Sequence, residues 1–270
     1  FRMTTTITGK FDGYVNDFDL KDIRFSTTDT DGFADKPTSH NGGISGELDG
    51  SVTGLPDSYA MMVKANVHKL TFSTHGLEKF VKGWAPSVNL DLDKFCKGEH
   101  LTFRGRASGP LNRLHAHGTM HTDFGKADLN ITLRNVIDPN RPLEIGGSAS
   151  TERLDIGRIM AGIPVGECDM RTGLNETFAK DSLGIVIDSL YVDGLDVLGY
   201  KYSNIAAVGT FSQDAFDGRI VCSDPNLNFL FQGIFSLSSK TKNALYQFYA
   251  NLGYADLHAL NIDKRGVSKM

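Results

Sequence analysis

Apolar and polar residues alternate along most of this chain with a period of two, the period of a β-strand whose successive side chains point to opposite faces. The clearest stretch is Leu227-Asn228-Phe229-Leu230-Phe231-Gln232-Gly233-Ile234-Phe235-Ser236-Leu237. Its odd positions hold Leu227, Phe229, Phe231, Phe235 and Leu237, while Asn228, Gln232 and Ser236 fall on even ones. Ala244-Leu245-Tyr246-Gln247-Phe248-Tyr249-Ala250-Asn251-Leu252 alternates in the even register, and Leu101–Gly105 and Tyr200–Asn204 alternate over shorter spans. Helical spacing is confined to two short segments, His75–Trp84 and Glu152–Met160. Neither, at ten and nine residues, exceeds the lower end of the ~10–14 residues of an average globular helix.

Turn residues punctuate the strands at short intervals: Asn41-Gly42-Gly43, Asp49-Gly50, Asp193-Gly194, Asp217-Gly218 and Ser223-Asp224-Pro225-Asn226. This spacing predicts hairpins in an antiparallel meander. No crossover helix alternates with the strands, which disfavours a parallel α/β sheet. The expected class is all-β, an elongated, curled antiparallel sheet with one or two short helices.

A faint internal repeat supports a repeating architecture. Phe-x-Gly recurs at Phe11-Asp12-Gly13, Phe103-Arg104-Gly105, Phe216-Asp217-Gly218 and Phe231-Gln232-Gly233. Val15-Asn16-Asp17-Phe18 follows the first copy and Pro110-Leu111-Asn112-Arg113-Leu114 follows the second. A phenylalanine packed over a strand glycine is a known sheet device.

Composition narrows the function classes. Apolar residues make up 40% of the 270, enough for a sizeable core and too many for a disordered chain. Glycine is frequent, at 29 residues, but the 8 prolines do not suit a collagen-like chain. No run of 18 or more apolar residues marks a membrane-spanning helix. Lys and Arg number 28 against 32 Asp and Glu, a net charge of −4 that sets nucleic-acid binding aside. Cys96, Cys168 and Cys222 are dispersed and odd in number, so they read as small core residues, with one reactive thiol as the alternative. The start, Phe1-Arg2-Met3-Thr4, is neither an initiator methionine nor a signal peptide, and Asp263–Met270 resembles a connection into more chain. The sequence reads as a piece of something longer.

Candidate chemistry is sparse. His115, His117 and His121 share one parity, which on a strand places three imidazoles on one face, a pattern that also suits a metal. The opposite parity holds Leu114, Ala116, Gly118 and Met120, an apolar face, so the histidines belong to the polar exterior. Thr28–Asp35 echoes half a calcium loop. Anchored on Gly32, however, it puts Thr27 and Thr38 at its end positions and lacks the bidentate glutamate. No Gly-x-Ser-x-Gly elbow, His-Glu-x-x-His or phosphate-binding glycine loop occurs, and neither an enzymatic activity nor a cofactor or metal is expected.

The extent of the apolar strand faces carries more. Leu227, Phe229, Phe231, Phe235, Leu237, Tyr246, Phe248, Leu252 and Tyr254 lie in adjacent strands. Such a face must be covered by another layer, close on itself, or meet an apolar ligand.

Several phrases resemble the TamB/AsmA-like translocation and assembly module family of bacterial envelope proteins, in its Bacteroidetes-type form. They are Ile44-Ser45-Gly46-Glu47-Leu48-Asp49-Gly50-Ser51-Val52-Thr53-Gly54-Leu55-Pro56-Asp57, Leu154-Asp155-Ile156-Gly157-Arg158-Ile159-Met160, and Tyr200-Lys201-Tyr202-Ser203-Asn204-Ile205 followed by Phe216-Asp217-Gly218. Asp224-Pro225-Asn226-Leu227, then Ala255-Asp256-Leu257-His258-Ala259-Leu260-Asn261, completes the series. The match is best from about Leu143 to Lys264, while Phe33–His40 reads as an insertion and the family's N-terminal membrane anchor is not in this sequence. The resemblance implies a β-taco, a repeating groove in two stretches, 1-142 and 143-270, without independent globular domains. It implies a periplasmic segment of an inner-membrane-anchored, bridge-like lipid transfer protein that carries phospholipid towards the outer membrane. The alternative it implies is an assembly factor for outer-membrane β-barrels that works with a BamA-like partner. The nine residues named above are then the expected groove lining, with no catalytic residue to carry over.

Overall fold

The computed structural model describes residues 3–29, 43–77, 79, 100–138, 140–141, 143–159, 165–179, 182–212, 215–236 and 246–263. The chain divides into two compact units, Phe1–Ile145 and Gly146–Met270. Both are antiparallel β, and in both the strands pair in chain order.

The first unit contains β1 (Met3–Tyr14), β2 (Asp17–Asp29), β3 (Ser45–Thr53), β4 (Met62–Phe72), β5 (Leu101–Pro110), β6 (Arg113–Thr122) and β7 (Gly125–Arg134). Each hydrogen-bonds to its successor, and among the described residues β1 stands at the edge. The boundary between units falls inside β8 (Leu143–Glu152). The second unit continues with β9 (Leu154–Asp155), β10 (Val165–Ala179), β11 (Ser182–Val197), β12 (Tyr200–Tyr202), β13 (Ile205–Ser212), β14 (Ala215–Asp224), β15 (Leu227–Ser236) and β16 (Tyr246–Ala255). The main path there is β10-β11-β13-β14-β15-β16, with β9 and β12 as short side pairings and, among the described residues, β16 at the edge.

Helix is as scarce as the periodicity predicts. Residues 74–77 and 79 of the first expected segment are helical, and the rest of it lies outside the described residues. In the second segment only Ile156–Ile159 is helical, because Leu154 and Asp155 pair with β10 instead.

The Asp-Gly pairs need correction. Asp49-Gly50, Asp193-Gly194 and Asp217-Gly218 lie inside β3, β11 and β14 rather than at turns. In the first and last of these pairs the glycine admits a close neighbour: a Cβ on Gly50 would meet the Lys64 carbonyl, and one on Gly218 the Val208 carbonyl. Val15-Asn16, Leu111-Asn112 and Pro225-Asn226 are tight turns of one kind, each two residues between paired strands. In all three the asparagine carbonyl accepts a backbone N–H from just beyond a neighbouring strand: Gly54, Asn135 and Asp256, each at 2.9 Å. The similar text after two Phe-x-Gly copies is thus a shared turn.

The repeat has a packing basis. Gly105 pairs with Gly118, and a Cβ on either would lie 2.8 Å from the Phe103 ring. Gly209 pairs with Gly218, and the Phe216 ring stands in the same relation to both. One ring therefore covers two glycines. In the other two copies the glycine faces a second phenylalanine. Gly13 pairs with Phe18, whose ring is 6.1 Å from Phe11, and Gly233 pairs with Phe248, whose ring is 5.2 Å from Phe231.

Bulges keep the apolar residues on one face where sequence parity breaks. β2 slips between Leu20 and Ile23, so even Phe18 and Leu20 share a face with odd Ile23 and Phe25, opposite Val52, Gly50, Leu48 and Gly46. β4 slips between Val67 and Leu70 and joins Val63, Ala65 and Val67 to Leu70 and Phe72. The tightest cluster in the first unit is Ile44, Phe72 and Leu101, packed by Phe25, Leu70, Leu77, Phe103 and Met120.

Candidate functional site

In the second unit the apolar face of β15 and β16 assembles from paired residues, which share a face in an antiparallel sheet. Phe229 lies opposite Leu252, Phe231 opposite Ala250, Gly233 opposite Phe248 and Phe235 opposite Tyr246. The rings interlock across strands. Phe216 stands 5.9 Å from Phe231, Phe231 stands 5.2 Å from Phe248, and Phe235 stands 5.3 Å from Tyr246. Exposure rises towards the edge: Phe216 is 8% exposed, Phe229, Phe231 and Phe235 are half-buried, and Phe248 and Leu252 are 50% exposed. Burying such surface gains about 25 cal/mol per Å². The exposed rings on β16 therefore offer binding energy that folding has not used.

Two expected lining residues fall elsewhere. Leu237 lies outside the described residues. Tyr254 pairs with Asn228, on the face away from Phe229 and Leu252. The cause is the bulge at Gly253, which adds one residue to β16 and reverses its parity. A Cβ on Gly253 would sit 3.0 Å from the Asn228 side-chain oxygen. Ala255, which is buried, takes the place on the Phe229 side, opposite Leu227.

The first unit has an apolar face that the lining list missed. Leu114, Ala116, Gly118 and Met120 of β6 pair with Leu133, Ile131, Leu129 and Ala127 of β7. These residues are half-buried. On β2–β4 the same kind of face borders a cavity of about 190 Å³, among whose lining residues are Phe25, Ile44, Leu48, Val67, Leu70 and Leu77. The β6 alternation was legible, but the β2 and β4 portions were hidden by the bulges.

His115, His117 and His121 lie opposite Thr132, Asn130 and Lys126 on the polar side of β6 and β7. Among the described residues no group of three or more His, Cys, Asp or Glu is placed to hold a metal. Cys168 and Cys222 are buried, and burial pushes the Cys168 thiol up to about 11, so it stays protonated. Cys96, and the acidic segment around Gly32 with Thr38, lie outside the described residues.

Buried polarity serves the frame instead. Asp224 is 6% exposed and accepts hydrogen bonds from the Tyr200 hydroxyl at 2.5 Å, and from Asn226 N–H, Ser203 N–H and the Ser203 hydroxyl at 2.8 Å each. Burial is the largest single influence and acts to raise its pKa. The bonds from Tyr200, Asn226 and Ser203 outweigh burial and hold the carboxyl below its ordinary value. This network ties the Asp-Pro-Asn turn to the Tyr-x-Tyr-Ser segment, the two phrases singled out in the sequence.

No protein-family model matches the chain, and neither a curated protein nor a solved structure matches it at a significant level. The TamB/AsmA-like resemblance rests on the sequence phrases.

Proposed function

We propose that this chain is a segment of a periplasmic lipid conduit whose apolar sheet face carries the acyl chains of phospholipids towards the outer membrane. The observation that carries the reading is the half-exposed aromatic and aliphatic face of β15 and β16, centred on Phe231 and Phe248. An acyl chain gains about 0.8 kcal/mol per buried CH₂. A face of rings, methyl groups and glycines grips it without polar pockets that would hold it at one point. The reading assigns no chemical step to any residue. It expects the chain to be anchored in the inner membrane through a segment outside these residues.

A second reading, favoured by the place of β16 at the edge of the sheet among the described residues, is a scaffold for outer-membrane β-proteins that adds their strands to its own sheet, with a BamA-like barrel as partner. Native mass spectrometry of the purified chain separates the two. Co-purified phospholipid that is lost in Phe248→Glu supports the conduit. Absence of lipid, together with binding of unfolded barrel strands, supports the scaffold.

A further inference from the structure

The polar face of β4–β6 is strongly cationic although the chain as a whole is acidic. Lys64, Arg104, Arg106 and Arg113 are exposed there. The strand register sets them in one patch: Lys64 lies opposite Ser108, which lies opposite His115, and Asn66 lies opposite Arg106, which lies opposite His117. Among the described residues none of these four cations has an acid within ion-pair distance. The neighbouring acids are already engaged. Asp128 accepts from Thr119 at 2.6 Å and pairs with Lys126 at 3.2 Å, Glu47 pairs with Arg24 at 3.5 Å, and Asp49 pairs with His68 at 2.6 Å. The second unit differs: Arg153, Arg171 and Lys201 each pair with an acid, at 3.0, 3.1 and 3.2 Å.

We infer that this face is a docking surface for an anionic bilayer. Its charge is unspent, and an anionic surface complements it. The cations spread over three strands in two dimensions: Arg104 and Arg106 stand two positions apart on β5, about 7 Å, with Lys64 on β4 diagonal to Arg106 and Arg113 on β6. That grid matches a headgroup plane, whereas a linear polyanion is tracked by a single file of charges. Among the described residues of β4–β6 no Phe, Tyr or Trp shares this face, so these strands lack the stacking platform that single-stranded nucleic acid needs. Contact is peripheral and electrostatic, on the side of these strands opposite their apolar residues.

The test is flotation of the 270-residue chain with two kinds of vesicle, pure phosphatidylcholine and phosphatidylcholine with about one-third phosphatidylglycerol. The chain is expected to float with the second kind only, and to be released by high salt. Each basic residue near an anionic membrane contributes about 1 kcal/mol, so Arg104→Gln/Arg106→Gln is expected to weaken partitioning roughly thirtyfold. Arg219→Glu, on an exposed position of the second unit, is expected to leave it within a few-fold, which separates the patch from net charge. Circular dichroism checks that each variant stays folded. Equal flotation with both vesicles, no flotation with either, an effect of Arg219→Glu as large as that of the double variant, or binding to heparin or RNA without binding to the anionic vesicles would overturn the inference.

Discussion

The two units solve one structural problem with the same parts and differ in a single partner. In the first, Asp22 adopts a left-handed conformation (φ 53°) at a bulge, and its N–H donates to the Asp49 carboxylate at 2.7 Å. In the second, Arg153, between β8 and β9, is also left-handed (φ 51°), and its N–H donates to the Asp169 carboxylate at 2.7 Å. The second oxygen of the clamp meets His68 in one unit and Lys201 in the other. Both aspartates are held below their ordinary pKa, but for different leading reasons. For Asp49 the hydrogen bond from His68 comes first, and for Asp169 the backbone bond from Arg153 comes first. A left-handed residue whose N–H meets an aspartate of a neighbouring strand is therefore the shared part, and the side chain that completes the clamp is free to vary.

The largest expected effects test the other shared part, the phenylalanine over paired glycines. Phe216 is buried, and Phe216→Ala should cost about 3 kcal/mol in denaturant unfolding. Phe103 is half-buried, and Phe103→Ala should cost about 2 kcal/mol. A methyl at Gly118 or Gly218 runs into the facing backbone, the Arg104 carbonyl in one case and the Val208 carbonyl in the other. Either Gly→Ala change should cost about 2–3 kcal/mol. If these variants unfold at the wild-type midpoint, the repeat is not a packing device.

The next effect belongs to the second unit alone. Asp224→Ala strands the Tyr200 hydroxyl and the Ser203 N–H in a half-buried corner, and should cost about 2–3 kcal/mol. Because the folded Asp224 carboxyl is depressed, its stabilising contribution is present above the unfolded value near 3.8 and fades as pH falls through the lower, folded value. Acid unfolding of Asp224→Asn should therefore be less steep below pH 3.8 than that of the unaltered chain. An equally steep acid limb would remove Asp224 from the account.

The clamp itself gives a smaller and more pointed contrast. His68→Ala should raise the Asp49 pKa more than Lys201→Ala raises that of Asp169, read by carboxyl-carbon NMR titration. Small, equal shifts would mean that the backbone bond governs both sites, and the opposite order would contradict the ranking outright.

Much of the fold lies open in the alternation of residues. Strand positions such as Leu227–Ser236 and the Pro225-Asn226 turn follow from period and turn chemistry alone. What the sequence hides is where the period breaks. Gly253 sends Tyr254 to the wrong face, and the slips at Leu20/Ile23 and Val67/Leu70 conceal the apolar face of β2 and β4. A bulge is fixed by the neighbouring strand, as the bond from Asp22 to Asp49 illustrates, and a partner 27 positions away leaves no local mark. The Asp-Gly pairs misled for a related reason. Gly50 and Gly218 answer to facing backbones and Gly194 to the Lys201 side chain, which pairing reveals and composition does not.

The smallest effect on stability accompanies the largest on function. Phe248→Glu places a charge on a half-exposed edge ring where water hydrates it in the empty face, so the unfolding midpoint should move little. The central claim, that the apolar face carries lipid, is tested most directly by photo-crosslinking amino acids placed one at a time on both faces in cells. Phe248 and Ile131 report on the apolar face, and Tyr249 and Asn130 on the polar one. Phospholipid adducts are expected at Phe248 and Ile131 and not at Tyr249 or Asn130. Adducts of equal yield at all four positions, or at none, would contradict a lipid-carrying face.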